Sequence, residues 1–216
     1  MPRFTARTDY SATERLSDAV IHVAGLAVVL AAVPVLITVA AFLRGDLTAV
    51  LAVSVYGAAL VAMILCSALY NMIADPGWSR FLKRLDHSAI YVKIAGTYTP
   101  FTLLSGQGLW LLAGLWAAAL AGVGIKLVSP DRFRPLGLAL YLGMGWAGLA
   151  AGGTFLATLS GPVVALILAG GILYTVGVAF YLFERLPFHY TIWHGFVLTA
   201  SLVFYAAVTL HLVQTA

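Results

Sequence analysis

Seven apolar stretches, each close to the ~20 residues a helix needs to cross a bilayer, occupy most of this chain. They run over residues 19–43, 47–71, 86–104, 109–128, 136–157, 162–183 and 190–213. The runs are long and unbroken, without the ten-residue alternation of a membrane strand, so each is expected to be a helix. The breaks carry turn chemistry: Arg44-Gly-Asp46, Asp75-Pro-Gly77, Ser105-Gly-Gln-Gly108, Ser129-Pro-Asp131 and Ser160-Gly-Pro162. With 62% hydrophobic and 9% charged residues in 216, the composition is that of a polytopic membrane protein. The expected fold is an all-α, seven-transmembrane helix bundle over residues 19–213. A short segment, 1–18, precedes it, and no separate soluble domain is expected. That segment is polar and lacks an apolar core, so the first helix is expected to direct insertion in place of a cleaved leader.

The basic residues orient the bundle. Arg3, Arg7, Arg15, Arg80, Lys83, Arg84, Lys126, Arg132, Arg134 and Arg185 fall on one side, and Arg44 alone on the other. The positive-inside rule then puts the N-terminus in the cytoplasm and the C-terminus outside. The net charge of +4 is spread over several loops and forms no single patch, so membrane lipids and not nucleic acid are the expected partners. Cys66 is the only cysteine, which excludes an internal disulfide.

The polar residues that enter these stretches converge on one end. Asp18 and His22 open the first, Ser67 and Asn71 close the second, Asp86 and His87 open the third, and His189, Tyr190 and His194 open the last. A polar group inside a bilayer costs several kcal/mol unless it is paired or wet. Four such ends on one leaflet point to a buried site. Asp18 and His22 are four apart and share a helix face, as do Ser67 and Asn71, and Tyr190 and His194. His189 follows Pro187 and is placed in the loop, from which it reaches the site. Of Asp86 and His87, Asp86 is the better candidate for the interior.

Each residue also has a plainer role. Asp86 and Asp18 could cap spans three and one. Ser67 could bond back to its own helix. Tyr190, Trp193 and His211 suit the membrane interface. Lys93 lies about two turns beyond Asp86 on the same face, roughly 10 Å deeper. It either snorkels to the surface or partners an acid inside the bundle. Gly148 and Gly152 make a small-xxx-small pair that lets the fifth span pack closely.

Four segments resemble the bacterial hemolysin III family of the progestin and adipoQ receptor superfamily. They are Ser67-Ala-Leu-Tyr-Asn71, Leu85-Asp-His-Ser-Ala-Ile-Tyr91, Ile94-Ala-Gly-Thr-Tyr-Thr-Pro100 and Ile192-Trp-His-Gly-Phe-Val197. The resemblance covers nearly the whole chain and implies a bacterial cytoplasmic-membrane location. It also implies a cytoplasm-side zinc site. In that family a serine precedes, by four positions, a histidine that ends span two. An aspartate opens span three, and an H-x3-H pair opens span seven. Three histidines hold the metal and the aspartate orients its water.

Ser67, Asp86 and His194 stand at matching positions. Asn71 stands where the span-two histidine belongs, and Tyr190 where the first span-seven histidine belongs, with His189 one position off. Zinc prefers imidazole, thiolate or carboxylate, and an asparagine carbonyl suits harder cations. His189, His194 and Asp86 would make a two-nitrogen, one-carboxylate set, and His22 joins it only if span one packs beside span seven. The implied activity is metal-dependent hydrolysis of a lipid amide or ester, with Asp86 handling the water and Ser67 the oxyanion or second shell. The alternatives are a non-catalytic regulator or lipid sensor with a degenerate zinc site, and a cytolytic pore. Ser67, Asn71, Asp86 and His194 are expected to meet in one pocket.

Overall fold

The computed structural model describes residues 10–129 and 133–216. Arg3, Arg7, Pro130, Asp131 and Arg132, used above for orientation and for one turn, lie outside them. Among the described residues all regular structure is helical. The helices are α1 (Ala12–Leu43), α2 (Leu47–Met72), α3 (Pro76–Ser105), α4 (Leu109–Val128), α5 (Arg134–Ala150), α6 (Gly153–Leu156), α7 (Gly161–Leu182) and α8 (His189–Gln214).

Five of these, α1, α2, α4, α7 and α8, are long and apolar enough to cross a membrane. α3 is long but carries Arg80, Lys83, Arg84, Asp86 and Lys93. α5 is 17 residues long. Large apolar side chains such as Leu30, Val35, Leu51, Leu120 and Ile172 face outward, as they do on a surface bathed in lipid and not water.

Local chemistry sets the helix starts, and it sets two of them earlier than the apolar pattern implies. α1 begins seven residues before the first apolar run. Ser11 caps it in a reciprocal capping box with Glu14, so Asp18 is not a cap but sits inside the helix. α3 begins at Pro76, with Asp75 accepting from the Gly77 N–H. Asp86 therefore lies about three turns into α3 and is free of capping duty. Asp46 and Ser160 cap α2 and α7.

The fifth span is broken. α5 stops at Ala150, Gly152 takes φ +80°, and the four-residue α6 follows. The left-handed backbone at Gly152 takes it off the face that carries Gly148, so the two do not form one packing stripe. Gly148 acts alone, with its N–H donating to the Tyr98 hydroxyl at 3.0 Å.

The helices close into a ring. α1 packs on α2 and α8, α2 on α3, α3 on α4, α5 and α8, α5 on α7, and α7 on α8. Small residues allow the close approaches: a Cβ on Gly96 of α3 would lie 2.7 Å from the Ala59 Cβ of α2. The core fills with Leu36, Tyr56, Leu60, Tyr91, Val208 and Leu212, all buried. Half-buried Cys66 packs against that core as a free thiol.

Candidate functional site

The site depends on how the first and last helices lie together. α1 and α8 begin at the same end and run side by side. Glu14, 6% exposed, uses both carboxylate oxygens: Oε2 accepts from the Ser11 N–H at 2.8 Å and Oε1 from the Phe188 N–H at 2.9 Å. One turn on, the Ser17 and Thr191 hydroxyls meet at 2.9 Å. The next rung is Asp18 with His194, at 2.6 Å. On α8 the three members are three residues apart, and on α1 Ser17 and Asp18 lie three and four residues beyond Glu14, so all of them face the partner helix.

Asp18 serves two histidines. The His194 Nδ1–H donates to Asp18 Oδ1 at 2.6 Å, and the His22 Nδ1–H donates to the Asp18 carbonyl oxygen at 2.8 Å. Both partners only accept, so both histidines carry a proton on Nδ1, and in the neutral imidazole the lone pair is then on Nε2. The two rings meet edge to face with centroids 4.3 Å apart. Asp18, His22 and His194 each offer a ligand atom within 4.8 Å of the others. Span one does pack beside span seven, which is the condition for His22 to join.

Ser67 of α2 bridges to the other side of the site. Its Oγ lies 3.2 Å from His22 Nε2 and also neighbours the Asp86 carboxylate. One hydroxyl proton cannot serve both acceptors. The cluster therefore holds two imidazole lone pairs and two carboxylates against few donors. Such a set suits a cation, and a two-nitrogen, one-carboxylate set is one that zinc accepts.

The other expected members fall differently. Asn71 turns its amide back, with Nδ2–H donating to the Ser67 carbonyl at 2.8 Å. Tyr190 lies over the His194 ring, stacked at 6.1 Å, and bears on its orientation instead of replacing a ligand. His189 is the first residue of α8 and not a loop residue. It is fully buried, its Nε2 lies 3.0 Å from the Tyr10 hydroxyl, and it does not line the cavity described below. His87 lines that cavity together with Asp86, against the expectation that only one would face inward. Trp193 also lines the cavity and packs on Tyr181. His211 is 1% exposed against the Phe101 ring and so is a core residue, not an interfacial one. Lys93 does not snorkel. It is 3% exposed, with Nζ 4.4 Å from the centre of the Tyr174 ring and 4.9 Å from that of Phe204.

All four residues expected to meet, Ser67, Asn71, Asp86 and His194, line one cavity of about 750 Å³. It continues past them to Lys93, Thr97, Trp146 and Tyr174. Pockets of this size take lipid-like or drug-sized molecules.

Glu14 is the residue that the apolar pattern hides. Its signal, the Ser11-x-x-Glu14 capping box, is present in the sequence but lies ahead of the first apolar run. The pairing of Asp18 with His194 has no local signal, because it depends on which helices become neighbours.

The haemolysin-III related family model matches residues 10–205. Hemolysin-3 of Bacillus cereus is 39% identical over 206 residues, covering 94% of each chain. A Hemolysin-3 homolog of Bacillus subtilis (strain 168) is 37% identical over 210 residues, covering 95% of this chain and 97% of the relative. The human monocyte to macrophage differentiation factor is 27% identical over 176 residues, covering 74% of this chain and 70% of its own.

Proposed function

The chain belongs to the haemolysin III-related family, and from that premise we propose that it is a metal-dependent hydrolase acting on an amide or ester bond of a membrane lipid. The reading includes seven membrane crossings, with α3 and the α5–α6 pair completing the set. It places the N-terminus in the cytoplasm and the protein in the bacterial cytoplasmic membrane. The observation that carries it is the pair of histidines whose Nδ1 protons both go to Asp18, with His22 Nε2 beside Ser67, in a lipid-sized cavity that Asp86 also lines.

His22 and His194 would hold zinc through Nε2, and Asp86, which neighbours Ser67, would face the water on that zinc. Asp18 acts as the positioning residue that sets both tautomers, as carboxylates behind metal-bound histidines do. Zinc, when bound, supplies an acidified water and polarises the scissile carbonyl. Asp86 accepts a proton at its carboxylate. The Ser67 hydroxyl donates toward negative charge that develops on the substrate oxygen.

Metal analysis of the purified protein tests this directly. Zinc near one per chain, lost in His194→Ala and His22→Ala together with hydrolysis of a fluorescent N-acyl or acyl-ester lipid, supports the hydrolase. A metal-free wild-type protein that takes up zinc only as Asn71→His overturns it. That outcome favours a lipid sensor with a degenerate site. One observation favours that reading: the Asn71 amide donates to the Ser67 carbonyl of its own helix.

A further inference from the structure

Lys93 is the cation that the proposed chemistry does not use. Its ammonium sits deep in the bundle, 3% exposed, about two turns along α3 from Asp86 and hence roughly 10 Å away. Its contacts are the faces of Tyr174 and Phe204. Neither supplies a hydrogen-bond acceptor to its three N–H groups. Among the described residues no carboxylate lies in ion-pair range of it.

Cation–π contact returns less than the withdrawal of an ammonium from water costs. The helix has nonetheless kept the charge at the wall of a large cavity. The Thr97 hydroxyl bonds to the Lys93 carbonyl, and no hydrogen bond joins it to the Lys93 ammonium. The carboxylates that line the same cavity, such as Asp18 and Asp86, belong to the histidine cluster and not to Lys93.

The missing partner is therefore an anion delivered by a ligand. Around Lys93 the cavity is walled by Tyr98, Trp146, Tyr174 and Phe204, so the rest of that ligand is apolar. One lysine matches one negative charge, and two carboxylate oxygens suit an ammonium with three donors. A phosphodiester headgroup or a phosphate dianion would bring more bulk or charge than a single ammonium between two rings can answer.

We propose that Lys93 and the aromatic walls around it form a binding site for the carboxylate of a long-chain fatty acid, held inside the bundle with its chain along the cavity. The site needs no metal and does not rest on the hydrolase reading. If both hold, the acid released by hydrolysis has a place to go one step from where it forms.

The test uses the purified full chain in a non-ionic detergent. The probes are 9,10-dibromostearate and its methyl ester, and bromine quenching of tryptophan is the readout, since Trp146 and Trp193 line the cavity. Dibromostearate is expected to bind saturably, and Lys93→Met to weaken it roughly tenfold or more. Lys93→Arg retains binding. The methyl ester binds wild-type and Lys93→Met alike, which also shows that the variant is folded. His194→Ala leaves dibromostearate binding as it was, so failure here and failure of the metal site separate cleanly. Equal binding of acid and ester to the wild type, equal binding of the acid to wild type and Lys93→Met, or no saturable binding overturns the proposal.

Discussion

Asp18 receives the Nδ1 protons of two histidines at once, His194 through its carboxylate at 2.6 Å and His22 through its backbone carbonyl at 2.8 Å. The two contacts differ in kind, and mutagenesis separates them. Asp18→Ala removes only the carboxylate, freeing the His194 ring while His22 keeps its carbonyl partner. Zinc affinity, measured by chelator competition, is expected to fall roughly 10- to 100-fold, as it does when a carboxylate behind a metal histidine is removed. Asp18→Asn, whose Oδ1 still accepts, should fall at the small end of that range.

Glu14 spans the two helix starts with one oxygen each. Glu14→Gln has one accepting oxygen and one donating amide, so either the Ser11 or the Phe188 N–H loses its acceptor. A lost hydrogen bond of this kind costs about 0.5–1.5 kcal/mol. Thermal melting in detergent should register a lower midpoint. Because the same rungs align Asp18 with His194, any zinc bound should weaken in parallel, although Glu14 touches no ligand atom.

Gly96 and Ala59 meet where a second methyl group has no room: the added Cβ would sit 2.7 Å from the Ala59 Cβ, with the Val55 carbonyl oxygen at 3.6 Å. Gly96→Ala should destabilise the α2–α3 contact by about 1–3 kcal/mol, the usual cost of overpacking. Ala59→Gly in the same chain moves the methyl to the other helix and should recover most of the loss. A double-mutant cycle on melting midpoints reads the coupling directly.

Asp46, at the start of α2, takes hydrogen bonds from the Ala49 N–H and the Arg44 guanidinium. The backbone bond first, then Arg44, hold its carboxyl below the ordinary 3.8. A lowered folded-state pKa means the contribution is present above 3.8 and is lost as pH falls below that value. Unfolding midpoints taken from pH 5 downward should decline on acidification. In Asp46→Asn, which keeps the cap without the charge, that part of the decline should disappear.

How far the fold could be read in advance varies with the source of each boundary. α2, α4, α7 and α8 agree with the apolar runs to within a residue or so, because their ends coincide with the last apolar residue and a Gly, Pro or Ser break. α1 and α3 extend well ahead of their runs because polar residues there, from Ala12 and from Pro76, are helical under caps that hydropathy ignores. The fifth span divides at Gly152, whose backbone conformation leaves no trace in a hydropathy profile.

The site divides in the same way. The convergence of Ser67, Asn71, Asp86 and His194 on one cavity was legible from helical spacing, because each residue's face follows from its own helix. Which of them bond to one another was not. The partner of His194 lies 176 positions away, and only the closure of α1 against α8 brings Asp18 to it. Asn71 shows the converse, since an amide one turn past Ser67 finds its nearest acceptor in its own helix.

The contact between the first helix and the last also sets an order of events during synthesis. Chains emerge N-terminus first, so α1 enters the bilayer carrying Asp18 and His22 well before α8 brings His194. Through that interval the two residues have only each other and Ser67. A ribosome that stalls anywhere short of α8 leaves an incomplete cluster, with no second imidazole to trap a metal ion. If the cluster takes a metal as proposed, competence for it comes only with the final helix, and the order of the sequence keeps the nascent chain from loading early.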